Sequence, residues 1–378
     1  MLLSTGPFRW FTFGTLGVQR FRLRWSMGAA TAILALLVGQ PAWAWGADGH
    51  GQVGAIAERL LNKHARAELT ALLAGFGTTS PGHPDLALGA VWADCARDVH
   101  EGKPFYFKID EGQTPKVCKP LAGTPEADLL IAFAQRNWTQ CDYYPGCHAA
   151  YHFVDVALPR TAYDPTHQLI GTSDHDVVSA IQCATRVLRD LKCSDKFKFA
   201  FNKREAALLL AHYVGDLHQP LHVGAVYLTQ DGVLRDPGSY PEDDEDRGSE
   251  THGGNSLKYG KYSNLHSTWD KITGSWSTLP EPDAEALGLA KKQPATTGDL
   301  ERLPEIWATE TVQQAGQAYK GVTYSKAMLD PKGKTYWIAQ FADEKTYRTT
   351  RENMQRLQVA KAGARLAQIY NTIWPDKT

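Results

Sequence analysis

Apolar residues recur at i, i+3 and i+4 along Val53–Leu73, Leu86–Val99, Val177–Leu191, Glu205–Leu217, Leu303–Ala318 and, with gaps, Tyr336–Ile373. That spacing puts them on one face of an α-helix. Clean period-two alternation is scarce, so the pattern predicts an all-α fold, in one domain without internal repeats. Pro81-Gly82, Gln219-Pro220 and Gly253-Gly254 punctuate the helical stretches. The segment Arg235–Glu250 is rich in Asp, Glu, Pro and Gly, which marks an acidic loop insertion at the surface, near residues 228–252. Its acids Glu242, Asp243, Asp244, Glu245 and Asp246 read as solvated charge rather than as a cation site.

Composition changes this picture mainly at the N-terminus. At 43% hydrophobic and 21% charged over 378 residues, the chain can bury a large core. Arg9, Arg20, Arg22 and Arg24 precede an apolar run from Ala29 to Val38, followed by Gln40-Pro41-Ala42-Trp43-Ala44, the order of a secretory signal cut after Ala44. The run is far shorter than the roughly 20 residues that span a bilayer, so no membrane anchor is expected. Met27 offers an alternative start within the leader. The expectation is export, periplasmic or extracellular, with residues 1–44 removed and 45–378 as the working domain.

Removing residues 1–44 takes away four Arg and no acid, so 36 bases remain against 41 acids, a formal charge of −5. Such a balance excludes a protein that wraps nucleic acid by backbone charge alone, while a bound cation can supply positive charge locally. Cys95, Cys118, Cys141, Cys147, Cys183 and Cys193 form no C-x-x-C pair. In an exported chain they read as disulfides, and pairing near neighbours gives Cys95–Cys118, Cys141–Cys147 and Cys183–Cys193 among the 15 possible connectivities.

The candidate chemistry lies in His212-Tyr-Val-Gly-Asp216-Leu-His-Gln-Pro-Leu-His222, where His212 and Asp216 are four apart on a helix that Pro220 ends. His266 and Asp270 repeat the spacing. Imidazole and carboxylate are the ligand types that zinc accepts. Alone, each pair has a plainer reading, a helix-surface hydrogen bond or a satisfied core histidine. Their recurrence favours a shared metal site, for which His50, Asp94 and His152 are further candidates.

With Trp45-Gly46, His50, Trp92-Ala-Asp94, Arg97, His152-Phe153, Gln219-Pro-Leu-His222, Gly253-Gly-Asn255 and Leu265-His266 through Trp269-Asp270 in this order, the chain resembles the zinc-dependent nucleases of the S1/P1 type. The resemblance runs from Trp45 to Asp270; the last third matches only as generic helix. It implies three Zn²⁺ per chain. One would be held by Asp94, His152, His212 and Asp216, and a second by His222, His266 and Asp270. The third would take Asp216, His50 and the α-amine and carbonyl oxygen of Trp45, which becomes an N-terminus only after cleavage at Ala44.

The resemblance further implies an endonuclease acting on single-stranded DNA and RNA to give 5′-phosphorylated products, with 3′-nucleotides as additional substrates. Asp94 and Asp216 would support the reaction as ligands, and Arg97 would sit beside the phosphate oxygens. Phe153 would stack a base, Asn255 would contact substrate, and Asp155 would orient water or a ligand histidine. A monomer without a stable protein partner is expected. The rival readings are a zinc-dependent phospholipase C acting on lipid head groups, which shares this ligand chemistry, and a metal-binding protein without turnover. Asn137-Trp-Thr139 is a glycosylation sequon whose meaning depends on the host.

Overall fold

The computed structural model describes residues 45–76, 83–111, 114–139, 141, 146–193, 199–260, 263–272 and 281–376. The expected leader, residues 1–44, lies outside the described residues. Twelve α-helices follow one another among these residues: α1 (Gly46–Leu60), α2 (Lys63–Leu72), α3 (Leu86–Gly89), α4 (Trp92–Ala96), α5 (Pro125–Arg136), α6 (Val177–Leu188), α7 (Lys203–Leu217), α8 (Asp244–Ser249), α9 (Leu265–Asp270), α10 (Ala284–Lys291), α11 (Leu303–Ala318) and α12 (Glu344–Ile373). The fold is mainly helical, as the periodicity predicts.

At the centre, α7 is buried on every side from Glu205 to Leu217, which is why its sequence is apolar all round. Asn202 and Glu205 close a capping box at its start. Around it pack α6, α1 and α12. Two glycines set the closest approaches: a Cβ at Gly54 would lie 2.0 Å from Leu86 O, and one at Gly363 would lie 2.6 Å from Ile56 Cβ. Helix α1 is thereby pressed against α3 on one side and α12 on the other.

Where the structure departs from the periodicity, polar local chemistry is the cause. The stretch Val53–Leu73 is two helices, because the Asn62 side chain accepts Ala65 N–H at 2.7 Å and caps α2. Leu86–Val99 is broken at Ala90-Val91, and the break leaves Ala90 O to be taken by His212. Helix α6 stops at Leu188, short of Leu191. Within Tyr336–Ile373, the segment Thr335–Phe341 is a strand with alternating burial, and α12 starts only after Asp343, which caps it. That strand anchors a small five-stranded sheet with Leu257–Tyr259, Ser263–Asn264, Val322–Tyr324 and Met328–Leu329.

The acidic segment is folded rather than irregular. Asp243 and Asp246 form a capping box on α8, and buried Asp246 pairs with Arg235 at 2.6 Å. Three disulfides join Cys95–Cys118, Cys141–Cys147 and Cys183–Cys193, the near-neighbour set. Asn137 is fully buried, its amide donating to Phe133 O and its carbonyl accepting Ala200 N–H. The sequon is therefore closed to glycosylation in the folded chain. No helix of the described residues is long and apolar enough to cross a membrane.

Candidate metal centre

Side chains from five separate segments converge on Asp216, in the last turn of α7. Its Oδ1 lies 3.3 Å from His50 Nε2 and 3.7 Å from His222 Nδ1; its Oδ2 lies 3.1 Å from both His152 Nδ1 and His212 Nε2. His50 comes from the first turns of α1 and stacks on His212 at 3.7 Å between ring centroids. That approach needs Gly215, where a Cβ would stand 2.9 Å from His50 Nδ1. Asp94 on α4 faces His212 Nε2 at 3.8 Å, and His152 closes the 3-10 turn Cys147–His152.

Next to this group, His222 and His266 bring their Nε2 atoms to 3.0 Å from each other, with Asp270 Oδ1 3.9 Å from the first and Oδ2 3.6 Å from the second. Gln219 donates to Asp270 Oδ1 at 2.7 Å. Trp45, fully buried, donates from its indole to Gly215 O at 2.8 Å, at the back of Asp216. The eight side chains expected as ligands, His50, Asp94, His152, His212, Asp216, His222, His266 and Asp270, are all buried here, and His50 groups with Asp94 and His212 as well as meeting Asp216. Among the described residues, the groups that could hold one cation are His50, Asp94 and His212; His152, His212 and Asp216; His222, His266 and Asp270; and Asp155, Glu250 and His252.

Hydrogen bonding shows which ring atoms face inward. His212 Nδ1 lies 2.6 Å from Ala90 O, His222 Nδ1 2.8 Å from His152 O, and His266 Nδ1 2.7 Å from Gly253 O. A carbonyl only accepts, so each Nδ1 carries the proton and each Nε2 presents a lone pair. The 3.0 Å approach of His222 Nε2 to His266 Nε2 therefore sets two lone pairs face to face. Two nitrogens on one tetrahedral zinc, each about 2.0–2.1 Å from it, stand roughly 3.3 Å apart. Backbone bonds of this kind to Nδ1 are the outer contacts that orient imidazoles where they ligate a metal.

The remaining polar atoms tell the same story. Both ring nitrogens of His50, both oxygens of Asp94, Asp216 Oδ1, Asp270 Oδ2 and His152 Nε2 are buried without a hydrogen-bond partner, a cost that a native interior avoids. Burial pushes Asp94 up to about 6 and Asp216 and Asp270 well above the usual carboxylate range. It holds His50, His152 and His222 well below an ordinary imidazole, and His266 down to about 4. Three costly carboxylates among neutral imidazoles suit a multivalent cation.

Arg97, one turn after Asp94, reaches Asp94 Oδ1 at 3.9 Å and is partly exposed at the rim. Half-buried Phe153 lines a cavity of about 760 Å³ together with Asp155, Asp176, Tyr227, Tyr240 and Glu250. Asp155 does not act alone: its carboxyl is hydrogen-bonded to Glu250 and accepts the Gly253 N–H, and burial with the Glu250 charge raises it well above its ordinary range. His252 pairs with Glu250 at 3.3 Å. Sequence reading missed Glu250 and His252, which carry no spacing relation to Asp155. Asn255 donates to His252 O at 2.8 Å and so closes the turn that presents Gly253 O to His266.

Comparison with known proteins agrees with this geometry. Residues 45–375 match the family described as S1/P1 Nuclease. The chain is 28% identical over 292 residues to Endonuclease 2 of Arabidopsis thaliana, covering 71% of this chain and 85% of that protein. It is 26% identical over 249 residues to Endonuclease 1 of the same plant, covering 60% and 68%, and 30% identical over 177 residues to Endonuclease 3, covering 44% and 49%. S1/P1 nucleases are zinc enzymes, and the His/Asp clusters described above could hold a metal ion. With its match running from Trp45 past the last ligand candidate and beyond the end of α12, this chain belongs to the S1/P1 nuclease family.

Proposed function

We propose that the chain is an exported endonuclease that holds three Zn²⁺, cuts single-stranded DNA and RNA to 5′-phosphorylated products, and removes phosphate from 3′-nucleotides. The observation that carries the reading is the group of inward-facing, unpartnered nitrogens and carboxylate oxygens around Asp216, with the His222 and His266 Nε2 atoms 3.0 Å apart. The ligands would be Asp94, His152, His212 and Asp216 for one ion, and His222, His266 and Asp270 for the second. Asp216, His50 and the main chain of Trp45 would hold the third. Bound zinc would supply Lewis-acid charge to the phosphoryl group and lower the pKa of water towards neutrality.

The protein's own groups do the rest. Arg97, partly exposed beside Asp94, would neutralise charge on the non-bridging phosphate oxygens. Phe153, on the cavity wall, offers a face to one base, and stacking takes any base whose neighbour has let it go. Single strands, loops and ends meet that condition and paired duplex does not. Asp155, held by Glu250 and the Gly253 N–H on the same wall, would orient water or a ligand histidine, and Asn255, which closes the turn beside it, would contact substrate. Disulfides are consistent with an oxidising compartment. A monomer without a stable partner is the proposed working state.

The test is substrate competition. Purified enzyme should cut heat-denatured DNA and RNA at least tenfold faster than duplex, release products that a 5′-phosphatase can dephosphorylate, and release phosphate from 3′-AMP. Release of phosphocholine from lipid vesicles with untouched nucleic acid would overturn the reading in favour of a phospholipase C.

A further inference from the structure

Helix α12 contributes no ligand candidate, yet a row of buried polar side chains runs along its inner face: Arg351, Gln355, Gln358 and Arg365. Their separations of four, three and seven place them on one side of the helix, and three of them end beside the metal centre. Gln355 Nε2 donates to Trp269 O at 2.6 Å and Lys271 O at 3.3 Å, the carbonyls on either side of Asp270. Gln358 Nε2 donates to His218 O at 3.1 Å. Arg365 Nη1 donates to His218 Nε2 at 2.9 Å, whose Nδ1 is fixed on Val214 O at 2.7 Å, and Arg365 Nη2 is held in turn by Glu310 at 2.5 Å.

The acceptors have a common origin. His218 is the C-cap of α7 and Lys271 the C-cap of α9. A helix C-terminus leaves carbonyls without an intrahelical partner. These two termini carry Asp216 and Asp270, and Gln219, next to His218, reaches across to Asp270 Oδ1. Helix α12 thus grips both termini through adjacent side chains and sets the distance between them.

We propose that Gln355, Gln358 and Arg365 are positioning residues that keep His222, His266 and Asp270 in register with Asp216. The inference rests on the zinc reading above, and the wild-type zinc count separates failure of one from failure of the other. Outer partners of metal sites change metal affinity or activity by about 10- to 100-fold.

The test is a double variant, Gln355→Met with Gln358→Met, which keeps side-chain length and removes the donors. Zinc per chain is counted after dialysis against graded chelator, and kcat and KM are measured on denatured DNA. The control is Gln368→Met on the same helix, whose amide serves Thr296 away from the centre. The double variant should release one zinc at 10- to 100-fold lower chelator strength than wild type, with kcat falling in step and KM within about threefold. Gln368→Met should lose stability without this shift.

If the double variant fails to accumulate, Arg365→Lys, which still donates to His218, and Arg365→Met replace it, and only the Met variant should lose zinc early. Three zinc ions in wild type with an unshifted chelator profile in the variants would overturn the positioning role. Absence of zinc from wild type would instead overturn the metal reading.

Discussion

Replacing Asp216 by Asn should change stability in opposite directions with and without zinc. The substitution keeps the side chain's shape and removes the carboxylate that meets His50, His152, His212 and His222 within 3.7 Å. In chelated protein, burial raises Asp216 well above the usual range, so the metal-free fold bears the cost of a buried carboxylate at neutral pH. Asn bears no such cost, and chelated Asp216→Asn should melt no lower than chelated wild type.

With zinc present the order reverses. A ligand at 1,000 times its Kd stabilises the fold by about 4 kcal/mol, so losing the two ions that share Asp216 removes about 8 kcal/mol. Unfolding entropy near 2.1 cal/mol/K per residue, over about 330 residues, gives roughly 0.7 kcal/mol per degree. The wild-type zinc-dependent rise in Tm should therefore shrink by about 11 °C in the variant. Calorimetry with and without EDTA, disulfides intact, reads both effects. Activity should fall by more than about 100-fold, since even outer partners of ligands cost 10- to 100-fold. A full zinc-dependent rise in Asp216→Asn, or a chelated variant far less stable than chelated wild type, would refute the reasoning.

Phe153→Ala should raise KM on single-stranded DNA by about 5- to 150-fold, the equivalent of 1–3 kcal/mol of stacking, with zinc content unchanged in the same preparation. Zinc should leave as pH falls from 6.5 towards 4, read by metal analysis after dialysis. His266, lowered by burial from 6.5 to about 4, contributes stability that is complete above 6.5 and lost below it as protons compete for Nε2. Asp98 carries the opposite sign: burial raises it from 3.8 to about 6, so its contribution is lost as pH rises through that window. Asp98→Asn should accordingly stabilise at pH 7.5 and be neutral at pH 3.5 in denaturant titrations. An enzyme made with one extra residue ahead of Trp45 should hold two zinc ions rather than three, because the α-amine is displaced.

The sequence carries the ligand candidates and much of the helical frame, and it does so for a physical reason. His212 and Asp216, or His266 and Asp270, must share a helix face to reach one centre, and an i, i+4 spacing survives in the linear text. Ala90 O, Gln358 and Glu250 leave no such trace, because each meets its partner at 122, 140 or roughly 95 positions' separation through packing alone. The strand Thr335–Phe341 was hidden for a related reason. Its apolar residues continue into those of α12, and only Asp343 marks the change of period.

The most direct test of the account is the metal itself: zinc per chain by plasma spectrometry on enzyme purified without chelator, with nuclease activity followed as EDTA is added and zinc restored. The account predicts three zinc ions, loss of 5′-nucleotide release on chelation, and recovery with zinc. Full activity in protein stripped of metal would contradict it.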